Sequence, residues 1–442
     1  MDEITKNGFV TSINTGTHPL AKARQKTRLL YFAALEYIVN SCEPDAEYVN
    51  ARLSQYRDFL VGKEDVMHST AVNRSDAVKI LVDDFLKPWK RKYRYLLLCD
   101  VALIIPYKVD RVAVEKAYGM IAKFLSERKQ EKVNELLKIL YNDDAIPSVF
   151  ANAENLITQF RENRNFAAQP EIRILVTATV SAGKSTLINA IIGKTVTKTA
   201  VGPCTDNLCF IHNKPFEDDR FHLQTTTQNL NATLEDLSSV GKDAACSIAS
   251  YFRTLVHQKF RVCLIDTPGV NYALNLNHGK LSRKAIVERN YDKLLYVLDA
   301  RRIGEDDEIK HLKYVYENVP NEKVIFVLNK LDYADIPLSA SIDFVKSDLQ
   351  TIGFENPVIC PLSAYFSLLL KKRKSNERLN ENEQIIFDDY VRQFTKPEYD
   401  LSTYYDNPSV VDMNGSADKF WKMSFISGLF GLENILYGGT KK

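Results

Sequence analysis

The sequence predicts an α/β fold, a doubly wound and mostly parallel sheet, preceded by an all-α helical domain. Three observations predict it. Residues from about 20 to 165 carry apolar side chains at helical spacing. After Pro170, short apolar runs alternate with helical stretches. Those later runs end in polar and glycine-bearing residues, where an open α/β sheet places its ligand chemistry.

In chain order, residues 1–20, rich in Thr, Asn and Gly, are expected to be a flexible N-terminus. Residues 21–165 are expected to form the helical domain. From Asp110, "DRVAVEKAYGMIAKFL" places Val114, Tyr118, Ile121 and Leu125 on one helical face, and "KVNELLKIL" and "SVFANAENLITQF" continue the habit. Asp110 and Ser148 are candidate N-caps. Asn165 to Pro170 reads as a boundary, and 170–442 as the α/β domain. There "EIRILVTAT" is a strand and "STLINAIIG" a helix start; "RVCLID", "KLLYVLDA", "KVIFVLNK" and "NPVICPL" are further strands. Each is short and poorly alternating, as parallel strands buried on both faces are. Helical crossovers separate them. The stretch "FWKMSFISGLFGLENILYG" puts Phe425, Leu429, Leu432 and Leu436 on one stripe. It reads as a closing helix packed on the sheet, with a membrane-surface helix as the alternative.

Composition narrows the function classes. Lys plus Arg is 58 against 56 for Asp plus Glu, a formal net charge of +2, so no concentrated basic surface for nucleic acid is expected. The run Lys371, Lys372, Arg373, Lys374 reads as a solvated loop, with an anionic lipid or nucleic-acid contact as the alternative. The seven cysteines form no paired zinc pattern and are expected to be reduced, which suits a cytoplasmic protein. The seven histidines show no H-E-x-x-H or other metal spacing. The start "MDEITKNGFV" has no apolar core of a secretory signal. The longest apolar run, Tyr95 to Ile105, is too short to span a bilayer and is interrupted by Asp100. A cytoplasmic protein, at most peripheral to a membrane, is expected.

The strand ends carry the chemistry. "ATVSAGKST", residues 178–186, fits the phosphate-loop pattern G-x-x-x-x-G-K-[ST] except that Ala178 replaces the leading glycine. The candidate nucleotide-binding residues here are Ala178, Ser181, Ala182, Gly183, Lys184, Ser185 and Thr186. Backbone N–H groups would wrap a β-phosphate, Lys184 would reach the β- and γ-phosphates, and the Ser185 hydroxyl would bind Mg²⁺. Ala178 serves if its φ stays negative. "RVCLID" ends in Asp266-Thr267-Pro268-Gly269, where Asp266 holds Mg²⁺ and the Gly269 N–H meets a γ-phosphate oxygen. "VIFVLNK" leads to Asn329, Lys330 and Asp332. The Asp332 carboxylate would accept from guanine N1–H and the 2-amino group, Asn329 would tie the loops together, and the Lys330 stem would lie over the ring. At Ser363-Ala364 a backbone N–H would donate to guanine O6. Each motif alone is modest; together they are four matches in order at four predicted strand ends.

With these residues in view, about 170 to 438 resembles the GTPase (G) domain of the bacterial dynamin-like proteins, within the P-loop GTPase superfamily. The points of similarity are the S-A-G-K-S-T loop with Ser181, the long insert before D-T-P-G, the N-K-L-D and "LDARRIGEDDEI". Ala at the loop entrance is common in bacterial members. The resemblance implies Mg²⁺-dependent hydrolysis of GTP to GDP and phosphate, homodimerisation through paired G domains, and membrane remodelling or tethering at an anionic membrane surface. It implies a Mg²⁺-binding first-switch Thr, here Thr205 in "VGPCTDN", with the residues of "QTTTQN" as competitors. Such proteins usually carry a helical stalk after the G domain; here the region before residue 165 is what is left to serve as one, which puts remodelling in doubt. The stretch "YRYLLLCDVALIIPYKVD" is faintly similar to the small helical TerB-like domains.

Val270 follows Gly269 where small switch GTPases use a water-orienting glutamine. The family's substitute is a monovalent cation, K⁺ or Na⁺, held partly by the loop serine, which matches Ser181. The candidate catalytic set is therefore Ser181, Lys184, Thr205 and Gly269. Arg301 and Arg302 are rival charge donors, although pairing with the acidic run Glu305 to Glu308 is the plainer expectation. The alternative function is a GTP-gated scaffold with negligible turnover that binds a partner through its helical domain.

Overall fold

The computed structural model describes residues 8–42, 47–62, 74–85, 95–105, 111–197, 208–239, 246–256, 258–268, 276–302, 304–333, 338–405 and 419–438. The chain begins with helices α1 (Gln25–Cys42), α2 (Glu47–Leu60), α3 (Arg74–Phe85), α4 (Leu96–Ile104), α5 (Arg111–Ala122), α6 (Glu127–Tyr141) and α7 (Glu154–Ala167). Then follow β1 (Glu171–Ala178), α8 (Lys184–Ile192), β2 (Cys209–Lys214), β3 (Phe221–Gln224), β4 (Gln228–Ala232), α9 (Leu234–Ser239) and β5 (Cys246–Tyr251). The rest is β6 (Arg261–Asp266), α10 (Leu276–Glu288), β7 (Lys293–Asp299), α11 (Asp306–Asn318), β8 (Val324–Asn329), α12 (Leu338–Ile352) and β9 (Val358–Pro361). Four helices close it: α13 (Ala364–Lys374), α14 (Glu381–Gln393), α15 (Lys419–Ile426) and α16 (Leu429–Tyr437). None of the described helices is long and apolar enough to cross a membrane.

Two compact units result. The first groups Met1–Gln169 with Lys214–Thr233 and Ala249–Tyr251; the second groups Pro170–Asn213, Leu234–Ile248 and Phe252–Lys442. A single cut at residue 170 is therefore not the division the contacts give, because the β3–β4 hairpin groups with the helices.

In the helical unit, apolar stripes of α1, α2, α4, α6 and α7 meet in one core that includes Leu35, Leu53, Leu98, Leu136 and Phe160. Asp100, which interrupts the apolar run of α4, is fully buried. It accepts hydrogen bonds from the Tyr56 hydroxyl at 2.9 Å and from the Tyr31 hydroxyl, and His18 Nε2 lies 3.0 Å away. A carboxylate at that depth is tolerated because polar partners replace its water.

The expectation of a loose N-terminus is corrected over residues 8–20. Phe9, Val10, Ile13 and Leu20 are buried. The buried Arg52 guanidinium donates to Gly8 O and Thr11 O at 3.2 and 2.9 Å, and Asn163 exchanges two hydrogen bonds with the Ser12 backbone, both 2.8 Å. Polar composition misled because distant side chains satisfy this backbone.

In the second unit the sheet runs β5, β2, β6, β1, β7, β8, β9, with residues 246–248 of β5 at one edge. β6, β1, β7, β8 and β9 are parallel, and β2 is antiparallel to β6. Leu175, Ile265, Tyr296 and Phe326 on one face fill a core closed by Leu312, Val345 and Leu369 from the helices. β1 lies between β6 and β7, so the chain leaving it stands at the sheet's switch point, where such folds bind ligands. The register sets Val176 against Asp266 and Asp299 against Asn329, bringing three motif-bearing strand ends to one edge.

β2 to β5 have no counterpart in the strand pattern of the sequence. Their segments are short and rich in Gln, Asn, His and Ser, and "QTTTQN" is the β3–β4 turn, closed by Thr225 N–H donating to Thr227 O at 3.1 Å. The closing helix is two helices, broken at Gly428 with φ +81°. Phe425, Leu429, Leu432 and Leu436 are all buried. The basic run is likewise no solvated loop: it ends α13, and Lys371 and Lys372 are buried. Lys371 Nζ pairs with Glu433 Oε1 at 2.5 Å and donates to Ile191 O, near the end of α8, at 2.6 Å. Glu433 Oε2 in turn accepts the Leu255 N–H at 2.5 Å. Burial pushes the Lys371 ammonium down from its usual range while Glu433 holds it up.

Candidate functional site

Ala178 is the last residue of β1 and is fully buried. It is absent from the positive-φ positions, so the methyl group costs nothing conformationally. Beyond it Ser181 (φ +68°) and Gly183 (φ +94°) are left-handed, and Lys184 begins α8. Left-handed turns ahead of a helix start gather backbone N–H groups into an anion-binding concavity, reinforced by the helix dipole. A Cβ on Gly183 would fall far inside contact distance of Asn329 Nδ2, besides being strained at that φ. We expect Gly183→Ala to cost about 1–3 kcal/mol of stability and to weaken nucleotide binding about tenfold or more. A urea titration with and without GTP checks both; unchanged affinity would remove this close approach from the site.

Lys184 Nζ and Asp266 Oδ1 form an ion pair, joining the phosphate loop to the end of β6. The Thr267 hydroxyl donates to Val176 O at 2.9 Å, and the Ser282 hydroxyl to Pro268 O at 2.5 Å, so the start of D-T-P-G is fixed from both sides. Gly269 and Val270 lie outside the described residues, as does Thr205. Ahead of Thr205 the chain is described as far as Thr197. Asn189 of α8 accepts the Val196 and Thr197 N–H groups, both at 2.9 Å, and Thr197 Oγ1 donates to Ser185 O at 3.2 Å. Ser185 and Thr186 sit in the first turn of α8. The Ser185 hydroxyl and the Asp266 carboxylate are hard oxygen donors suited to Mg²⁺.

Asn329 joins the phosphate loop to the loop after β9. Its Nδ2 donates to Ala182 O at 3.1 Å, and its Oδ1 accepts the Ala364 N–H at 3.1 Å. The Ser363-Ala364 pair expected to face guanine O6 lies at the start of α13; the Ala364 N–H meets Asn329 there, and the Ser363 N–H faces Ser427 O at 3.4 Å. Lys330, left-handed at φ +66°, extends to Ser181 O at 2.5 Å and to Asp299 Oδ2 at 2.7 Å.

Asp299 is a residue the motif reading missed. Burial pushes its carboxyl up, but hydrogen bonds from Arg301 and Lys330 outweigh that and hold it below the usual range. Arg301 engages it through Nε and Nη2, both at 3.1 Å, rather than the acidic run; Arg302 does pair with Glu305, at 2.9 Å. Asp332 accepts from the Tyr390 hydroxyl at 2.8 Å, and its carbonyl accepts from Gln393 Nε2 at 2.9 Å. Burial pushes the Asp332 carboxyl up, with Tyr390 and Ser363 countering in part. Tyr390 and Gln393 come from α14, some sixty residues later in the chain, and carry no motif. Among the described residues Glu171, His212 and Cys263 also bring potential metal-ligating atoms within 4.8 Å of one another, a grouping invisible in sequence spacing. Arg261 bears electrostatically on Glu171 there.

Residues 174–331 match the model of the dynamin family. A probable transmembrane GTPase, FZO-like, chloroplastic, from Arabidopsis thaliana is 27% identical over 206 residues, 46% of this chain and 20% of that protein. Dynamin-like protein A of Bacillus subtilis (strain 168) is 27% identical over 175 residues, 38% of this chain and 14% of its own length. The chain thus spans a fifth or less of the length of these curated relatives. Among solved structures, Era of Aquifex aeolicus bound to GDP and AlF4⁻ is matched at 17% identity and a TM-score of 0.27, over 48% of this chain and 58% of that one.

Proposed function

From the match of residues 174–331 to the dynamin family, we propose that this protein binds GTP with Mg²⁺ and hydrolyses it to GDP and phosphate, at a rate raised when two G domains pair. The observation that carries the reading is the Asn329 side chain. It holds the phosphate loop through Ala182 and the loop after β9 through Ala364, so one residue spaces the two regions a nucleoside triphosphate must bridge.

In this reading the N–H groups around Ser181 and Gly183 take the β-phosphate, and Lys184 leaves Asp266 for the β- and γ-phosphates. Ser185, Asp266 and Thr205 hold Mg²⁺, whose chemistry when bound is to neutralise phosphate charge. The Gly269 N–H supports the γ-phosphate. Asp332 reads the guanine edge and the Lys330 stem lies against the ring. Phosphoryl transfer is governed by positioning and charge stabilisation, and Val270 supplies neither. Ser181 would help hold a K⁺ or Na⁺ ion, which would supply the missing charge, and Thr205 would place the water. Contact with an anionic membrane surface belongs to the same proposal.

GTP turnover per molecule, measured in K⁺ buffer over about a hundredfold range of protein concentration, tests it through mass action. Specific activity is expected to climb with concentration and to fall when a large organic cation replaces K⁺. Val270 favours one rival, a GTP-gated scaffold acting through its helices. Tight GTP binding with flat turnover, no higher than that of Lys184→Ala, would establish the rival and reject hydrolysis.

A further inference from the structure

Among the described residues, α14 adds two contacts to Asp332 from outside its own loop, and that helix is itself firmly built. Asn380 Oδ1 accepts the Glu383 N–H at 2.9 Å while Glu383 Oε2 accepts the Asn380 N–H at 3.1 Å, a reciprocal cap at the helix start. Glu383 Oε1 also pairs with Lys372 of α13 at 2.8 Å. Further along, the Tyr390 ring packs at 5.4 Å from Phe366, which stacks on Phe394 at 5.0 Å. Tyr390 is 5% exposed, and its hydroxyl is aimed at Asp332 Oδ2 while Gln393 secures the Asp332 carbonyl.

We propose that Tyr390 is a specificity-determining positioning residue, holding the Asp332 carboxylate in the one orientation that meets the guanine edge. The inference rests on the reading of Asp332 as the guanine acceptor and adds to it a residue of a helix outside the nucleotide motifs. A carboxylate oxygen has two acceptor sites, so Oδ2 can keep the tyrosine and still accept from the base. Without that hydroxyl the carboxylate loses a restraint on rotation about its last bond, and two hydrogen bonds to guanine must then supply it. The penalty falls on guanine, which uses both oxygens, more than on hypoxanthine, which lacks the 2-amino group.

The hydroxyl also favours the ionised carboxyl. The groups bearing on that carboxyl are Tyr390 from α14, Arg301 from the loop after β7 and Ser363 from the loop after β9. Removing the first raises the pH at which Asp332 protonates, so affinity is lost further as the pH falls.

The test is equilibrium binding of GTP, ITP and ATP to the full chain, wild type and Tyr390→Phe, between about pH 8 and about pH 5.5. Phenylalanine keeps the ring and its packing, and the melting temperature of each variant confirms folding. Tyr390→Phe is expected to weaken GTP binding about tenfold, the scale of a hydrogen bond to a charged group, to narrow the GTP-over-ITP ratio and to widen the loss at low pH. Equal weakening of GTP and ITP at every pH, or none, would overturn the positioning role. Failure of the underlying reading looks different: wild type itself would bind GTP no better than ATP, and Asp332→Asn would change nothing.

Discussion

Lys184→Ala is expected to weaken GTP binding by roughly two to three orders of magnitude, since truncating one member of a buried charge pair costs about 2–5 kcal/mol. Lys184 begins α8, beside the N–H groups of the left-handed turn, and no other loop residue carries a cation. Its partner in the structure is Asp266, 6% exposed. The substitution therefore does two things: it removes a charge from the phosphates and takes the ammonium away from a buried carboxylate. The double variant Lys184→Ala with Asp266→Asn relieves the second effect and not the first. Fluorescence titration with a labelled GTP analogue should find both variants deficient, with stability recovered in the double variant alone. GTP affinity within about tenfold of wild type in the double variant would place the triphosphate elsewhere.

Asp332→Asn is expected to erase guanine selectivity. Sites that read a base by buried hydrogen bonds can discriminate by about 10⁴ to 10⁵, because the wrong base strands polar groups. Asparagine replaces one acceptor with a donor, which faces the guanine 2-amino group donor to donor. It suits the 2-oxo group of xanthine instead. Competition binding with GTP, ATP and XTP should therefore show GTP preference collapsing and XTP binding improving. An unaltered GTP-over-ATP ratio would remove Asp332 from the base site. Tyr390 remains free to donate to the amide oxygen of the variant, so its packing is preserved and the change reports on the base edge.

The parallel strands and the candidate site were legible because the motif residues sit where apolar strands stop. Asp266 and Asn329 end β6 and β8, each preceded by apolar residues buried in the sheet, and apolar runs are what sequence periodicity detects. Ala178 could be judged because a strand's last residue has negative φ. The strands of the insert were hidden because "FHLQ" and "QNLNA" are only four and five residues long, too short for their alternation to stand out from a polar loop. Tyr390, Gln393 and Asp299 were hidden for a different reason. Tyr390 and Gln393 meet Asp332 from far along the chain, Asp299 meets Lys330 from the next strand end as well as its neighbour Arg301, and no local pattern marks the distant partners. At Ser363-Ala364 the motif was visible, whereas the meeting of the Ala364 N–H with Asn329 at the start of α13 was not.

The Lys371–Glu433 pair has a consequence for the order of assembly. Lys371 caps the far end of the phosphate-binding helix through Ile191 O, and its charge is balanced by a carboxylate on α16. A nascent chain leaving the ribosome exposes the phosphate loop early and Glu433 late. Until α16 arrives, Lys371 keeps its water and the end of α8 is unsealed. A chain cut before α16 would display every nucleotide motif yet lack the carboxylate that balances Lys371.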